Sequence, residues 1–171
     1  MSKEIVLNDY TFLVSETDEK GIILFANDDF CKIAGYDIDE LIGQPHNIIR
    51  HKDMPKVAFK DLWETVKKGN IWTGYVKNRT KNGDFYWVYA TVFPTVTSEN
   101  TKGFLSCRRK ANPIEIEAHE KLYKELITKE RYYLSFTLIY QKDYTHSNKY
   151  PKPLLIHCHL ILFFSLSQIF L

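Results

Sequence analysis

A chain of 171 residues with a formal net charge of +2, and no Lys/Arg run longer than three residues, is not patterned for nucleic acid. Its 44% apolar and 26% charged content is that of a soluble globular protein with one sizeable core and an appendage. Three widely spaced cysteines, Cys31, Cys107 and Cys158, exclude a disulfide framework and a CxxC metal or redox motif, and predict a reducing compartment.

In chain order, the N-terminus lacks an apolar h-region, so no cleaved secretory signal is expected. Short apolar runs at residues 11–15 and 22–26 flank the turn Thr17-Asp18-Glu19-Lys20-Gly21 and predict an opening β-hairpin. Asn27 is placed to cap a helix over residues 28–34, with Gly35 closing it, and Asp37 to cap a short one over 37–41. Asp53, with Pro55 just inside the start, signals a third helix. There Val57, Ala58, Leu62, Trp63 and Val66 recur at three- and four-residue spacing before Gly69. Strands over 72–80 and 85–96 flank Lys81-Asn82-Gly83-Asp84, a strong hairpin signal, and a third strand over 103–109 follows the polar turn 98–102. The order β-β-α-α-α-β-β-β predicts an α+β fold: a five-stranded antiparallel sheet with short helices on one face.

Pro113 opens a last helix, taken to residue 130, whose Ala118, Leu122, Tyr123, Leu126 and Ile127 form one apolar stripe. Two readings stand for it: a dimerisation or signalling element, or a helix that packs on the sheet. From about Arg131 acidic residues vanish except Asp143, and residues 154–171 form an atypical apolar tail at the lower length limit for a membrane span. It has no helix cap and no flanking domain, so an extension of uncertain structure is expected, with an anchor as the alternative. His157-Cys158-His159 is not expected to hold a metal, because adjacent side chains point apart. The chain thus divides into residues 8–112, 113–130 and 131–171.

The densest chemistry lies in Gln44-Pro45-His46-Asn47-Ile48-Ile49-Arg50-His51-Lys52-Asp53-Met54-Pro55. It leads to Asp61-Leu62-Trp63, Trp72-Thr73-Gly74, Val76-Lys77-Asn78-Arg79 and Lys81-Asn82-Gly83-Asp84-Phe85-Tyr86-Trp87-Val88. Charged and aromatic groups packed this closely point to a pocket. With Phe25-Ala26-Asn27-Asp28-Asp29-Phe30, Ala34-Gly35-Tyr36 and Leu41-Ile42-Gly43, these stretches resemble the N-terminal PAS domain of the bacterial aerotaxis receptor family over roughly residues 8 to 127. The resemblance implies a PAS fold with non-covalently bound FAD. It implies a cytoplasmic, non-enzymatic sensor that reports redox or energy state in aerotaxis through a chemotaxis transducer or another signalling protein. PAS–PAS dimerisation or hetero-association comes with it, and membrane contact, at the inner face, only through the tail.

Two departures stand out. Lys52 replaces the Pro usual in the family, and nothing after residue 130 resembles the receptor's linker, coiled coil or methyl-accepting signalling domain. That assigns signal output to a partner. Carried over by position, the residues implied in flavin binding are Asn27, Arg50, His51, Asp53, Trp63 and Asn78. A flat apolar ring with a polar edge suits aromatic walls, for which Trp63 and Trp72 are candidates, and amides such as Asn27 and Asn78. A pyrophosphate suits Arg50, His51 and the helix start near Asp53. Each also has a plain structural reading: Asn27 and Asp53 as caps, Trp63 as core, His51 as a loop tie.

No Gly-rich dinucleotide loop or nucleophile–base pair supports a flavin enzyme. The Asn-Cys-Arg motif of flavin–cysteinyl light sensors is absent from Ile49-Arg50-His51-Lys52-Asp53, and His46 and His51 do not define a haem ligand. The alternative to a flavin sensor is a cofactor-free PAS interaction module in a chemotaxis or signalling complex.

Overall fold

The computed structural model describes residues 2–97 and 100–146, with residues 133–146 described by their backbone alone. β1 (Leu13–Asp18) pairs along its length with β5 (Lys102–Lys110), from Leu13 opposite Arg108 to Asp18 opposite Gly103. On its other side it pairs with the short β2 (Ile23–Ala26). This pairing explains why β1 runs past the predicted residue 15. Glu16, Thr17 and Asp18 are polar and read locally as turn, yet β5 satisfies their backbone groups.

α1 (Asp28–Ala34) follows β2 and is started by Asn27. Its Oδ1 accepts from the N–H of Phe30 at 3.1 Å and of Val14 at 2.9 Å, while Nδ2 donates to the Phe12 carbonyl at 2.8 Å. One side chain therefore starts the helix and ties it to β1. Gly35, at φ +75°, ends the helix by donating to the Cys31 carbonyl, a conformation that a side chain would strain. In α2 (Ile38–Leu41) the Glu40 carboxylate accepts from the Asp37 N–H at 3.0 Å.

A single 3₁₀ turn over His46–Ile49 then leads to α3 (Lys56–Lys67). Here the expectation is corrected: Pro55 occupies the cap position and no side chain caps the helix. The Asp53 carboxylate instead meets Lys77 Nζ at 2.9 Å. A charge-assisted bond to an ammonium is about twice as strong as a neutral hydrogen bond, and it wins the side chain.

β3 (Trp72–Arg79) and β4 (Phe85–Val96) form a hairpin in register from Trp72 opposite Val92 to Arg79 opposite Phe85. Its loop is closed by the Thr80 N–H on the Asp84 carbonyl at 2.8 Å, with Gly83 at φ +91°. The sheet order is β2-β1-β5-β4-β3. Leu13, Phe30, Leu41, Ile49, Tyr86 and Val88 form its fully buried core.

α4 (Pro113–His146) begins on the opposite face. Tyr123 stacks on Trp87 with centroids 6.1 Å apart and donates its O–H to the Tyr75 carbonyl at 2.7 Å. Its first turns pack on the sheet, as one of the two readings held. The helix continues past the predicted residue 130 because residues 131–146 contain no Gly or Pro to stop it. Residues 1–129 form one compact unit, and α4 from Glu130 onward belongs to a second.

Among the described residues no helix is long and apolar enough to cross a membrane, and no group of His, Cys, Asp and Glu could hold a metal ion. Residues 154–171, with His157-Cys158-His159, lie outside the described residues.

Asn27→Ala should lower unfolding stability by about 2 kcal/mol, from a lost cap and stranded backbone groups. Asn27→Asp, which keeps the acceptor but loses the Nδ2 donor, should lose less. Urea titration followed by circular dichroism measures both, and an unchanged midpoint for Asn27→Ala contradicts the triple role.

Candidate functional site

Side chains alternate across a strand, so Trp72, Val76 and Asn78 of β3 share the helix-facing side with Ala90 and Val92 of β4 and with Phe104, Ser106 and Arg108 of β5. Over them lie Phe59, Leu62 and Trp63 of α3, Arg50, and the His46–Ile49 turn. They enclose a cavity of about 200 Å³ with largely apolar walls.

Two tryptophans make the walls, each seated on a glycine. The Trp72 ring crosses Gly74 so closely that a Cβ there would lie 2.5 Å from it, and its Nε1 donates to Asp61 Oδ2 at 2.7 Å. Trp63 lies against Gly21, where a Cβ would come to 3.0 Å, and meets the Phe104 ring at 5.4 Å and 70°. Arg50 is held over the Phe59 ring at 4.3 Å and donates to the Met54 carbonyl at 3.0 Å. A backbone bridge from Arg50 to Asn78 fixes this loop to β3.

The polar end of the cavity is built around Arg108, which is 4% exposed in mid-strand. One of its nitrogens, Nη2, donates to Ser15 Oγ at 3.0 Å and to His46 Nε2 at 2.6 Å. The guanidinium also stands 5.1 Å from the Phe30 ring centroid. No carboxylate of the described residues pairs with it. Burial lowers its pKa to about 10, which leaves it charged at neutral pH. Burial, then the adjacent Arg108 charge, holds His46 well below the usual histidine value, so its imidazole is neutral. A guanidinium has only donors, so His46 Nε2 accepts. Ser15 lies 3.1 Å from that nitrogen, the distance of a nucleophile–base pair, but Arg108 occupies its lone pair and opposes its protonation.

Among the described residues, three buried polar atoms of the cavity lining, Asn78 Nδ2, Ser106 Oγ and Arg108 Nη1, have no hydrogen-bond partner of good geometry, the Asn78 amide having only a weak interaction with the Tyr86 phenol. Unpaired buried polar groups are costly, so each calls for a partner, whether water or ligand. Burial also pushes the Tyr86 phenol up, against the weaker pull of the Arg108 charge and the Asn78 amide.

Of the residues predicted for the site, Arg50, Trp63, Trp72 and Asn78 line the cavity, and Asn27, His51 and Asp53 do not. Asn27 is spent on α1. Burial depresses the His51 pKa, and its Nδ1 accepts the Asp53 N–H at 3.1 Å. Burial alone would raise Asp53, but the bond to Lys77 holds its carboxyl below the usual range. Lys77 is 5% exposed on the outer face, also reaches Glu120 of α4 at 3.4 Å, and lies 4.4 Å from the Phe85 ring centroid. His51 and Asp53 thus brace the loop that carries Arg50.

Sequence reasoning missed Ser15, Ser106 and Arg108, and assigned His46 no role here. The available signal was the alternation Phe104, Ser106, Arg108, which turns a cation inward from what reads as the short basic run Arg108-Arg109-Lys110.

Comparison with known proteins places these observations. Residues 23–107 match the PAS fold family. The chain is 52% identical over 120 residues to an aerotaxis receptor of Escherichia coli K12, covering 70% of this chain and 24% of that protein. It is 26% identical over 86 residues to a nitrogen fixation regulatory protein of Klebsiella oxytoca, covering 50% of this chain and 17% of that one. A biofilm dispersion protein of Pseudomonas aeruginosa is 27% identical over 107 residues, covering 62% and 25%. The chain thus spans a quarter or less of each of these relatives. Among solved structures, a light-oxygen-voltage domain studied with a flavin analogue superposes with a TM-score of 0.54 at 18% identity, covering 67% of this chain and 86% of that one. The light-state LOV domain of the blue-light photoreceptor Aureochrome1 gives 0.51 at 16%, covering 72% and 92%. At such identities the structures establish the fold.

Stability should fall on mild acidification. His46 and His51 are both held below the 6.5 of a free histidine, so below about pH 6.5 the unfolded chain binds more protons than the folded one. Their contribution is whole above that value and shrinks as pH drops. Asp53, lowered from 3.8, acts in a separate window below that value. Thermal melts from about pH 7.5 to 5 should show a falling Tm. His46→Gln, whose amide oxygen still accepts from Arg108 without titrating, should flatten that slope; an identical slope would exclude His46 as its source.

Proposed function

Residues 23–107 of this chain belong to the PAS fold family, and from that premise we propose that the protein is a sensor holding FAD non-covalently in the sheet-facing cavity and reporting redox or energy state, as in aerotaxis, to a partner signalling protein. The observation that carries the reading is the set of unpartnered buried donors, Asn78 Nδ2, Ser106 Oγ and Arg108 Nη1, in a cavity walled by Trp63 and Trp72. A flavin's carbonyl and ring-nitrogen edge supplies the missing acceptors, and its flat faces suit the indoles. The similarity to an aerotaxis receptor, and to a light-oxygen-voltage domain studied with a flavin analogue, supports the reading.

When bound, the group supplies a reversible redox couple whose polar edge changes charge and protonation. The residues of the chain then do the reporting. Arg108 divides its donors between the ligand edge and the Ser15–His46 pair, so a charge change at the edge alters its hold on β1 and the 3₁₀ turn. Asn78 faces the cavity while its neighbour Lys77 faces α4. A shift of β3 is thereby felt by Asp53 on one side and Glu120 on the other, which biases α4 between two arrangements for a partner to read. Arg50, Trp63, Trp72 and Asn78 contact the ligand in this reading; Asn27, His51 and Asp53 position the frame. Neither Cys31 nor Cys107 lines the cavity, which argues against a flavin–cysteinyl adduct.

The purified chain should be yellow, release FAD on heating and bleach with dithionite. Asn78→Ala and Arg108→Met should each weaken FAD binding about tenfold to a hundredfold, the worth of a hydrogen bond involving a charged or buried group. Circular dichroism confirms that each variant is folded. A colourless chain that refuses added FAD removes the cofactor and leaves the PAS interaction module.

Lys77→Met should retain flavin but uncouple the helix. Hydrogen exchange over residues 113–129 should differ between oxidised and reduced protein in the parent and not in the variant. Equal differences in both would exclude Lys77 from the route.

A further inference from the structure

At about 200 Å³ the cavity is too small for a dinucleotide, so most of an FAD molecule must lie elsewhere. Part of its wall is shared with a second space. His46, Asn47 and Trp63 line the cavity and also line a second, wider cleft of about 530 Å³ on the outside of the domain. The far side of that cleft is made by the β1–β2 turn, with Glu19, Lys20 and Gly21, and by one stripe of α3, with Lys60, Glu64 and Lys67. The helical positions 60, 63, 64 and 67 recur at three and four residues, which sets Trp63 between two lysines on one helix face. Lys67 Nζ already lies 5.8 Å from the Trp63 ring centroid. Among the described residues Lys60 pairs with the exposed Glu64 at 3.7 Å, a contact of small worth that an anion can displace.

The sites first suggested for a pyrophosphate are engaged otherwise. Arg50 is held by Phe59 and the Met54 carbonyl, and His51, depressed towards its neutral form by burial, lies outside the cavity beside Asp53.

We propose that the cleft lined by Lys20, Lys60 and Lys67 binds the diphosphate–adenosine portion of the dinucleotide, reached by displacement of the shared wall at His46, Asn47 and Trp63, and that it makes this pocket selective for FAD over flavins without that tail. The proposal rests on the flavin reading. The lysines meet the phosphate charge at the surface, and Trp63, with one side toward each space, walls both. Gly21 is the enabling residue. Its positive φ of +82° and missing Cβ let the indole close against the turn, which brings Lys20 to the cleft.

The test compares FAD, FMN and riboflavin binding, by fluorescence quenching, to the full chain and to the double variant Lys60→Glu/Lys67→Glu. Both positions are exposed, so the variant should fold, and circular dichroism checks it. The expected result is an FAD affinity at least tenfold weaker in the variant, a reduced salt dependence, and riboflavin affinity unchanged. Equal weakening of FAD and riboflavin, or no change in either, overturns the placement of the tail. Loss of FAD selectivity in Arg50→Ala with none in the double variant overturns it in favour of the Arg50 loop. A parent chain that binds none of the three flavins removes the flavin reading and this proposal together.

Discussion

A guanidinium buried in the middle of a sheet without a carboxylate partner is the constraint around which this domain is organised. Desolvating Arg108 is expensive, and the protein answers with neutral acceptors, Ser15 Oγ and His46 Nε2, and with the face of Phe30. Those partners come from β1, the 3₁₀ turn and α1, so satisfying one charge brings together three elements far apart in sequence. The charge in turn keeps His46 neutral, and a neutral imidazole is the only state that can accept from Arg108. One nitrogen has no partner among the described residues, so the arrangement completes the fold and leaves an electropositive end to the cavity.

β3 divides the molecule in the other direction. Its alternation sends Trp72, Val76 and Asn78 to the cavity and Tyr75 and Lys77 to α4. Lys77 is nearly as buried as Arg108 but has carboxylates on both sides, Asp53 and Glu120. The two buried cations thus play opposite parts. Arg108 is short of partners and faces the ligand space, whereas Lys77 is paired and joins the loop before α3 to the helix on the far face.

Local signals proved reliable where the cause is itself local. Asn27, Gly35 and Gly83 act through bonds or φ angles within a few residues, and their elements appear where the pattern places them. The resemblance to the aerotaxis receptor family rested on such contiguous stretches, and the family and five-stranded fold follow from it. Asp53 shows the limit. Its position before Pro55 reads as a cap, but its partner is a lysine on a strand more than twenty residues away, invisible to any local pattern. Asn27 acts as the cap that its position predicts, but it lies outside the cavity, with both acceptor sites and one of its two N–H donors engaged by the backbone.

The amino-acid sequence by itself determined the order of strands and helices, the cap of α1, the turns and the aromatic supply of the pocket, because periodicity and backbone preference are properties of neighbouring residues. Only the tertiary structure decided which polar groups share a space. Whether Arg108 is a surface charge or a buried one depends on the register of β5 against β1 and β4, and whether Asn78 lines the same cavity depends on strand order. Those are long-range pairings that no window of the chain contains, and they turn a basic run and a scattered set of polar residues into one cavity.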